Sequence, residues 1–600
     1  MEDVQKKLLT KSKRAKMEQR GKFISFLCIA LIVAVVVSIF YFVASKGLAT
    51  FFKDKINVFD FLFGTNWNPS DIGADGKPMV GALPMIAGSF IVTFLSAIVA
   101  TPFAIGAAVF MTEISPKKGA KFLQPVIELL VGIPSVVYGF IGLSVIVPFV
   151  RSIFGGTGFG ILAGTFVLFV MILPTVTTMT VDALKAVPRH YREASLALGA
   201  TRWQTIYKVV LRAAVPGILT AVVFGMARAF GEALAIQMVI GNAAVMPTSL
   251  TTPASTLTSI LTMGIGNTIM GTVENNVLWS LALILLLMSL LFNIVIRIIG
   301  KRGALKMNAK KADKIATGIL YAVSGVIVLI LAALLIYILA RGIPHISWEF
   351  LTQPSRAYQV GGGIGIQLFN SLYLLLITMI ISIPISLGAG IYLSEYAKKN
   401  WLTDLIRTSI EILSSLPSVV VGLFGFLIFV VQIGYGFSIL SGALALTFFN
   451  LPLLTRNVEE SLKAIHYTQR EAGLALGLSR WETVKKVILP EALPGILTGV
   501  ILSSGRIFGE AAALIYTAGQ SAPALDFSNW NPLSVSSPIS IFRQAETLAV
   551  HIWKINTEGT MPDGAAVSAG ASAVLILVVL LFNFGARFIG NRLYKRMTSA

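Results

Sequence analysis

Residues 192–203 read REASLALGATRW, and residues 470–481 read REAGLALGLSRW. The first stretch is followed by PGILT at 216–220 and RAFGE at 228–232. The second is followed, at the same distances, by PGILT at 494–498 and RIFGE at 506–510. Each copy is a charged amphipathic segment that leads into an apolar helix carrying one arginine and one glutamate. A unit of this kind that occurs twice at a constant offset indicates a chain built from two equivalent halves.

The composition is that of a membrane protein. Apolar residues make up 55% of the sequence and charged residues only 13%, whereas a soluble protein carries about 25% charged residues. Apolar runs of about twenty residues or more recur along the chain, and each is long enough to cross a hydrocarbon layer of about 30 Å as a helix. The first run, 23–45, is too long for the core of a signal peptide and is expected to remain as a span.

The net charge of +20 is concentrated in a few clusters of lysine and arginine. One cluster, at 6–22, precedes the first apolar run, a second, at 297–314, lies at the middle of the chain, and a third, at 587–596, lies near its end. Because positively charged flanks stay on the cytoplasmic side, both termini and the middle are expected to be cytoplasmic. A tail that binds phospholipid or nucleic acid is the alternative explanation. Cys28 is the only cysteine and the four histidines are scattered, so the sequence predicts no disulfide, no metal site and no catalytic residue.

The repeat extends over almost the whole chain. Gly81, Pro102 and Glu113 correspond to residues 363, 384 and 395, and the run PSVV occurs at 134–137 and at 417–420. The predicted fold is an all-α polytopic membrane protein with about twelve transmembrane helices in two parallel six-helix repeats. Span three is expected at 124–150 and span five at 213–241. The predicted domains are a basic tail (1–22), a first half (23–300), a basic linker (301–314) and a second half (315–600).

Two arginine–glutamate pairs lie within predicted spans. Arg228 with Glu232, and Arg506 with Glu510, are four residues apart, so each pair is expected to share a helix face and to neutralise itself. Charges at membrane depth normally face the protein interior or an aqueous path. The pairs are therefore either structural ion pairs or part of a substrate path, in which both arginines meet an anion. Four weaker candidates for that path are Ser135, Ser418, Glu128 and Glu411.

The charged segments resemble the EAA loop of ABC importer permeases, which contacts the ATPase. The matching residues are Glu193, Ala194, Ser195 and Gly199 in the first copy and Glu471, Ala472, Gly473 and Gly477 in the second. Ser195 and Gly473 depart from the family pattern, which has alanine there, and Arg212 replaces its final proline. We expect a short helix whose exposed face has small side chains and fits a cleft on an ATPase. The glutamate near the start of this helix is expected to interact favourably with the positive end of the helix dipole. An ordinary interfacial amphipathic helix is the alternative.

The chain contains no Gly-x4-Gly-Lys-Ser/Thr phosphate loop, so an ATPase would be a separate subunit. Residues 132–139 (GIPSVVYG) together with 228–232 look like the PstC-type permease of phosphate-specific ABC importers. Residues 416–422 (LPSVVVG) together with 506–510 look like its PstA-type partner. The resemblance implies a natural fusion of the two permeases with the type I (MetI-like) importer fold.

The same resemblance implies how the protein works. It implies two PstB-like ATPase subunits, a PstS-like phosphate-binding protein, and inorganic phosphate as the substrate, in a bacterial cytoplasmic membrane. The family's functional arginines correspond to Arg228 and Arg506. No cofactor is expected on this chain, because ATP and magnesium belong to the ATPase. The alternatives are a permease for molybdate or sulfate, a six-plus-six secondary transporter, and a regulatory membrane protein.

Overall fold

The computed structural model describes residues 13–73, 76, 78–116, 118–300, 313–398, 400–559 and 561–598. Most of the predicted linker and part of the predicted tail therefore lie outside the described residues. The α-helices of the first half are α1 (Lys13–Gly47), α2 (Ala49–Phe52), α3 (Val58–Phe63), α4 (Leu83–Val109), α5 (Lys118–Val131), α6 (Ser135–Ile141), α7 (Val147–Phe154), α8 (Ile161–Lys185), α9 (Arg189–Ala197), α10 (Arg202–Thr205), α11 (Leu211–Phe230), α12 (Leu234–Gln237), α13 (Leu257–Gly264) and α14 (Val273–Gly300).

The second half repeats this order. Its α-helices are α15 (Asp313–Gly342), α16 (Trp348–Thr352), α17 (Gly365–Ile391), α18 (Trp401–Ser415), α19 (Ser418–Gly425), α20 (Ile439–Lys463), α21 (Tyr467–Ala475), α22 (Arg480–Thr483), α23 (Leu489–Phe508), α24 (Ala512–Ile515), α25 (Leu548–Glu558) and α26 (Gly564–Thr598). Widened π-helical segments occur at matching places of the two halves: Phe110–Ile114 and Tyr392–Tyr396, Gly142–Ile146 and Phe426–Gln432, Ile206–Val210 and Val484–Ile488. Strands β1 (Trp67–Ile72) and β2 (Pro78–Val80) form an antiparallel hairpin that pairs Trp67 with Val80.

The membrane-spanning architecture is confirmed. Eleven helices within the described residues are long and apolar enough to cross a membrane, or up to twelve if the pair Trp401–Ser415 and Ser418–Gln432, bent by 98°, is one span. The predicted start of span three at residue 124 is wrong, because the qualifying helix begins at Ser135. Residues 118–131 form a separate amphipathic helix, and the chain turns at Pro134, whose backbone is extended. A proline disfavours helical geometry in the residue before it, which explains the break.

Each half contributes its first helix to the other half. Helix α1 packs against α17 and α18 of the second half, and α15 packs against α4 and α5 of the first. Gly21 of α1 lies directly against the ring of Trp481, and Cys28 lies against Gly388. The main apolar core accordingly contains residues of both halves. The halves are interleaved rather than placed side by side.

Helices α9 and α21, which we call the loop helices, lie at one end of the bundle. The start of α1 contacts Trp481, just beyond α21. After α1 and α4 have crossed the bundle and returned, Glu113 binds Arg192 of α9 at 2.6 Å. Both loop helices therefore share the end where α1 begins, which we call the loop end. The β-hairpin and residues 520–547 belong to the opposite, far end.

A buried polar network fastens the far end of the second half. Arg543 is fully buried and donates to Oδ1 of Asn370 at 2.8 Å. Nδ1 of His551 lies 3.1 Å from Oε1 of Glu546, whose other oxygen accepts from Gln367 at 3.0 Å. Burial alone would raise the pKa of the Glu546 carboxyl, but the hydrogen bonds from His551 and Gln367 hold that pKa below its usual value. The network ties the loop before α25 to helix α17.

We expect Glu546→Gln to destabilise this far-end segment by about 2 kcal/mol at pH 7, because a buried charged acceptor is lost. Since the folded carboxyl has a lowered pKa, its stabilisation is complete above the unfolded pKa of about 4.3 and disappears as the pH falls through the folded value. Hydrogen exchange of residues 544–558 at pH 7 and pH 4 measures this. The exposed Glu558→Gln at the end of α25 is the control. Equal protection of both variants at pH 7 would contradict the assignment.

Candidate functional site

The four predicted intramembrane charges meet where two helices are broken. We call Arg228, Glu232, Arg506 and Glu510 the central charge cluster. Helix α11 ends at Phe230, and α12 begins at Leu234; α23 ends at Phe508, and α24 begins at Ala512. The prediction of one continuous span over 213–241 is therefore wrong. Each arginine lies in the last helical turn, where a cation is favoured, and each glutamate lies just beyond the helix.

This break changes the roles of the glutamates. Spacing of four residues pairs side chains only on a continuous helix, and the described salt bridges do not include Arg228–Glu232 or Arg506–Glu510. Glu232 instead lies beside Ser135, and its Oε1 lies 3.5 Å from the backbone nitrogen of Ala235. Glu510 likewise lies beside Ser418 and the first residues of α24. The expectation of a direct ion pair within each helix is thus wrong, although each arginine still attracts its own glutamate electrostatically.

The arginines are held by side chains of the neighbouring spans. Nη1 of Arg228 donates to the hydroxyl of Thr175 on α8. The guanidinium of Arg506 lies over the ring of Phe449 on α20, with its central carbon 4.4 Å from the ring centroid. Arg506 is solvent-accessible although Gly505 and Ile507 on either side are buried. Its side chain therefore faces an open space within the bundle.

The two halves bring their broken helices together. Gly231 of the first half lies against Pro417 of the second, and Gly509 of the second lies against Pro134 of the first. Glu232 and Glu510 are close enough to repel each other, as are the two arginines. The central charge cluster is therefore one site at the interface between the halves. Because its two guanidinium groups come from opposite halves and neither forms a salt bridge among the described residues, the site is suited to an anion.

The remaining candidates separate into two groups. Ser135 and Ser418 join the cluster, where each lies beside one of the glutamates. Glu411 is exposed on α18, before the bend of 98°, and so lies on the amphipathic helix rather than within the span. The side chain of Glu128 lies outside the described part of the structure. The serines are thus the candidates that the structure brings to the arginines.

The reciprocal glycine–proline contacts predict an unequal response to added volume. A Cβ atom at Gly509 would lie 2.3 Å from Cγ of Pro134, whereas one at Gly231 would lie 3.1 Å from Cγ of Pro417. Both glycines have negative φ, so alanine adds no backbone strain. We expect Gly509→Ala to lower the free energy of unfolding by about 1–3 kcal/mol, and Gly231→Ala to have a smaller effect. Thermal unfolding in detergent compares them, and a larger loss for Gly231→Ala would contradict this packing.

The loop helices are exposed along most of their length. Glu193, Ala194 and Gly199 are exposed, as are Glu471, Ala472 and Gly477. Both glycines have positive φ, +79° and +76°, and end the helix in a left-handed turn. Glycine is therefore required there by the backbone rather than for a small contact face. A capping box follows in each copy, formed by Thr201 with Gln204 and by Ser479 with Glu482.

Three details predicted for the loop helices are wrong. Ser195 turns inward, and its hydroxyl lies 2.9 Å from that of Thr205. Gly473 is buried, and a Cβ atom there would lie 2.7 Å from Thr483. The glutamates are the fifth residues of their helices, so they lie beyond the first turn and gain little from the helix N-terminus. The third position of the motif therefore supports the following turn.

Exposed leucines were missed by the sequence reasoning. Leu198 and Leu476 are 89% and 82% exposed, and Leu196 and Leu474 are exposed beside them. The sequence signal that could have identified them is the occurrence of leucine at the same positions in both copies of an otherwise charged segment. We expect these leucines to contact a partner, because they are exposed at the same place in both copies.

The interleaved halves, the broken helices and the charges between them define a membrane transport protein. The profile of the family described as binding-protein-dependent transport system inner membrane component matches residues 100–305 and 382–599. The chain belongs to this family, and it carries the family's domain twice. It is thus the permease of an ABC importer, a transport subunit, and the predicted membership is confirmed.

Each of the following curated relatives matches at most about half of this chain. Probable ABC transporter permease protein YqgI of Bacillus subtilis is 53% identical over 293 residues, which is 49% of this chain and 100% of YqgI. YqgH of the same organism is 55% identical over 48% of this chain and 91% of YqgH. The phosphate transport system permease protein PstA of Xylella fastidiosa is 31% identical over 42% of this chain and 82% of PstA. PstC of Mesorhizobium japonicum is 34% identical over 34% of this chain and 66% of PstC.

Proposed function

We propose that this protein is the membrane-spanning permease of an ATP-driven importer of inorganic phosphate. The observation that carries the proposal is the central charge cluster, where Arg228 and Arg506 come from opposite halves and Arg506 faces an open space. The planar guanidinium fork makes bidentate contacts with tetrahedral oxyanions. Similarity to the PstA and PstC proteins supports phosphate as the particular oxyanion.

In this proposal the loop end faces the cytoplasm of a bacterial cell, in agreement with the basic residues near both termini. Two ATPase subunits of the PstB type bind the two loop helices, and a phosphate-binding protein of the PstS type docks at the far end. ATP and magnesium belong to the ATPases, and the chain itself holds no cofactor. The boundaries 1–22, 23–300, 301–314 and 315–600 stay predictions.

The proposed cycle is alternating access driven by ATP. When ATP closes the two ATPases, the loop helices approach and the interface between the halves opens toward the far end. Phosphate leaves the binding protein, passes between Arg228 and Arg506, and is released at the loop end after ATP hydrolysis. Glu232 and Glu510 lie beside the two arginines and limit how tightly phosphate is held, so that it is released. Binding that is too strong would stop transport.

Uptake into proteoliposomes tests this function. The permease is reconstituted with its ATPases and phosphate-loaded binding protein, and labelled phosphate is followed with ATP or with a non-hydrolysable analogue. We expect accumulation only with ATP, and no competition by sulfate or molybdate in excess. ATP-dependent uptake of sulfate or molybdate in preference to phosphate would identify a permease for another oxyanion. Uptake that follows a proton gradient without ATP would identify a secondary transporter.

A further inference from the structure

An arginine in the first half of each loop helix binds two other segments of its half. Nη2 of Arg192 lies 2.6 Å from Oε1 of Glu113, and Nε lies 3.2 Å from Oε2. The same guanidinium donates to the carbonyl of Val187 at 2.7 Å and to that of Leu184 at 3.0 Å. It therefore joins α9 both to the end of α8 and to the π-helical segment that ends the preceding span.

The second half repeats this arrangement atom for atom. Nη2 of Arg470 lies 3.0 Å from Oε1 of Glu395 and donates to the carbonyl of Leu462 at 2.6 Å. Nη1 donates to the carbonyl of Ile465 at 2.7 Å. Both pairs are largely shielded, with 21% and 17% of the arginine side chains exposed and 11% and 12% of the glutamates. Neighbouring positions differ between the two copies; for example, Arg189 of the first copy corresponds to Tyr467 of the second.

The partners of each arginine are suited to carry motion. The last carbonyls of a helix have no partner within it, and a cation bound there is favoured. Glu113 and Glu395 lie in the π-helical segments Phe110–Ile114 and Tyr392–Tyr396, where the regular hydrogen bonding of the span is interrupted. Such segments often occur at functional sites. Each arginine thus holds a rigid helix end on one side and a deformable segment on the other.

The rigid side leads directly to the central charge cluster. Helix α8 carries both Leu184, which Arg192 binds, and Thr175, which binds Arg228. The two positions are about 14 Å apart along the helix at 1.5 Å per residue. In the second half, α20 carries Leu462, which Arg470 binds, and Phe449, which lies under Arg506. Those positions are about 20 Å apart.

We infer that Arg192 with Glu113, and Arg470 with Glu395, are positioning pairs that couple each loop helix to its central arginine. A displacement of α9 is carried by Arg192 to α8 and through Thr175 to Arg228. A displacement of α21 is carried by Arg470 to α20 and through Phe449 to Arg506. The inference rests on the proposed function, because it assigns the route by which ATP hydrolysis reaches the phosphate path.

The ratio of phosphate transported to ATP hydrolysed tests the inference. The variants are Arg470→Lys, which keeps the charge but loses the fork, Glu395→Gln, and the corresponding Arg192→Lys and Glu113→Gln. We expect ATP hydrolysis with loaded binding protein to stay within about twofold of the parent, while phosphate per ATP falls at least about fivefold, in the usual range of coupling between sites. Arg456→Gln, which breaks an exposed ion pair with Glu460 on the same helix α20, is the control and keeps the parental ratio.

A double-mutant cycle adds a second measurement. Since Arg470 and Glu395 act as one unit, Glu395→Gln combined with Arg470→Lys should lower the ratio no further than Arg470→Lys alone. If hydrolysis and uptake fall by the same factor in every variant, the pairs serve assembly alone and the inference is wrong. An unchanged ratio in Glu395→Gln, the mildest substitution, also overturns it. Failure of the proposed function is distinguishable, because the parent itself would then accumulate no phosphate with ATP.

Discussion

Arg506→Gln is expected to lower phosphate uptake at least about 30-fold, and Arg228→Gln to do so comparably. Each substitution removes one charge-assisted fork from a shared anion path, which costs about 2 kcal/mol or more, at about 1.4 kcal/mol for each factor of ten. The ATPases keep their binding surface, so basal ATP hydrolysis should persist. Labelled phosphate uptake into proteoliposomes and ATP hydrolysis, measured on the same preparation, check the prediction.

Two further variants make this result specific. Arg506→Lys keeps the positive charge but loses the bidentate fork, and we expect uptake between that of the parent and that of Arg506→Gln. Arg341→Gln removes an exposed arginine at the end of α15 and should leave uptake unchanged. If Arg228→Gln and Arg506→Gln both transport at the parental rate, the central charge cluster is a structural feature rather than the phosphate path.

Replacement of the exposed leucines by aspartate should separate the permease from its ATPases. Leu198 and Leu476 protrude from the ends of the loop helices. A few well-packed residues near the centre of an interface supply most of its binding energy, and a buried unpaired carboxylate there is costly. The double variant Leu198→Asp with Leu476→Asp should therefore lose co-purification of the ATPase and all ATP-dependent uptake, while its own thermal unfolding is unchanged.

The matched control keeps the apolar volume. Leu198→Met with Leu476→Met should retain the ATPase at the parental level, because methionine fills a pocket of similar size. A single aspartate should give an intermediate result if each loop helix holds one ATPase. Retention of the ATPase by the double aspartate variant would show that these leucines lie outside the binding surface.

The sequence allowed the two-fold plan and the main charges to be predicted, because both depend on patterns within the chain. Apolar runs, a doubled motif and basic flanks pointed to the spans and to Arg228 and Arg506. The helix breaks at Gly231 and Gly509 were not predicted, because a glycine inside an apolar run is also compatible with a continuous helix. The break follows from tertiary packing, in which the opposing prolines approach these glycines.

The partners of the charges were beyond sequence reasoning for a similar reason. Thr175 and Phe449 lie on spans far from Arg228 and Arg506 in sequence, so no local pattern connects them. Ser135 and Ser418 were only weak candidates, since a Pro-Ser-Val-Val run is common in packed helices. Their contact with the glutamates exists because α6 and α19 begin beside the broken helix ends.

The exchange of first helices between the halves has a consequence for biogenesis. As the chain leaves the ribosome, α1 enters the membrane before its packing partners α17 and α18 have been made. It has to stay in the bilayer without those neighbours until much of the second half has been inserted. The fold can therefore be completed only after most of the chain has been translated. A proteolytic cut between the halves would leave two fragments that stay associated through these exchanged helices.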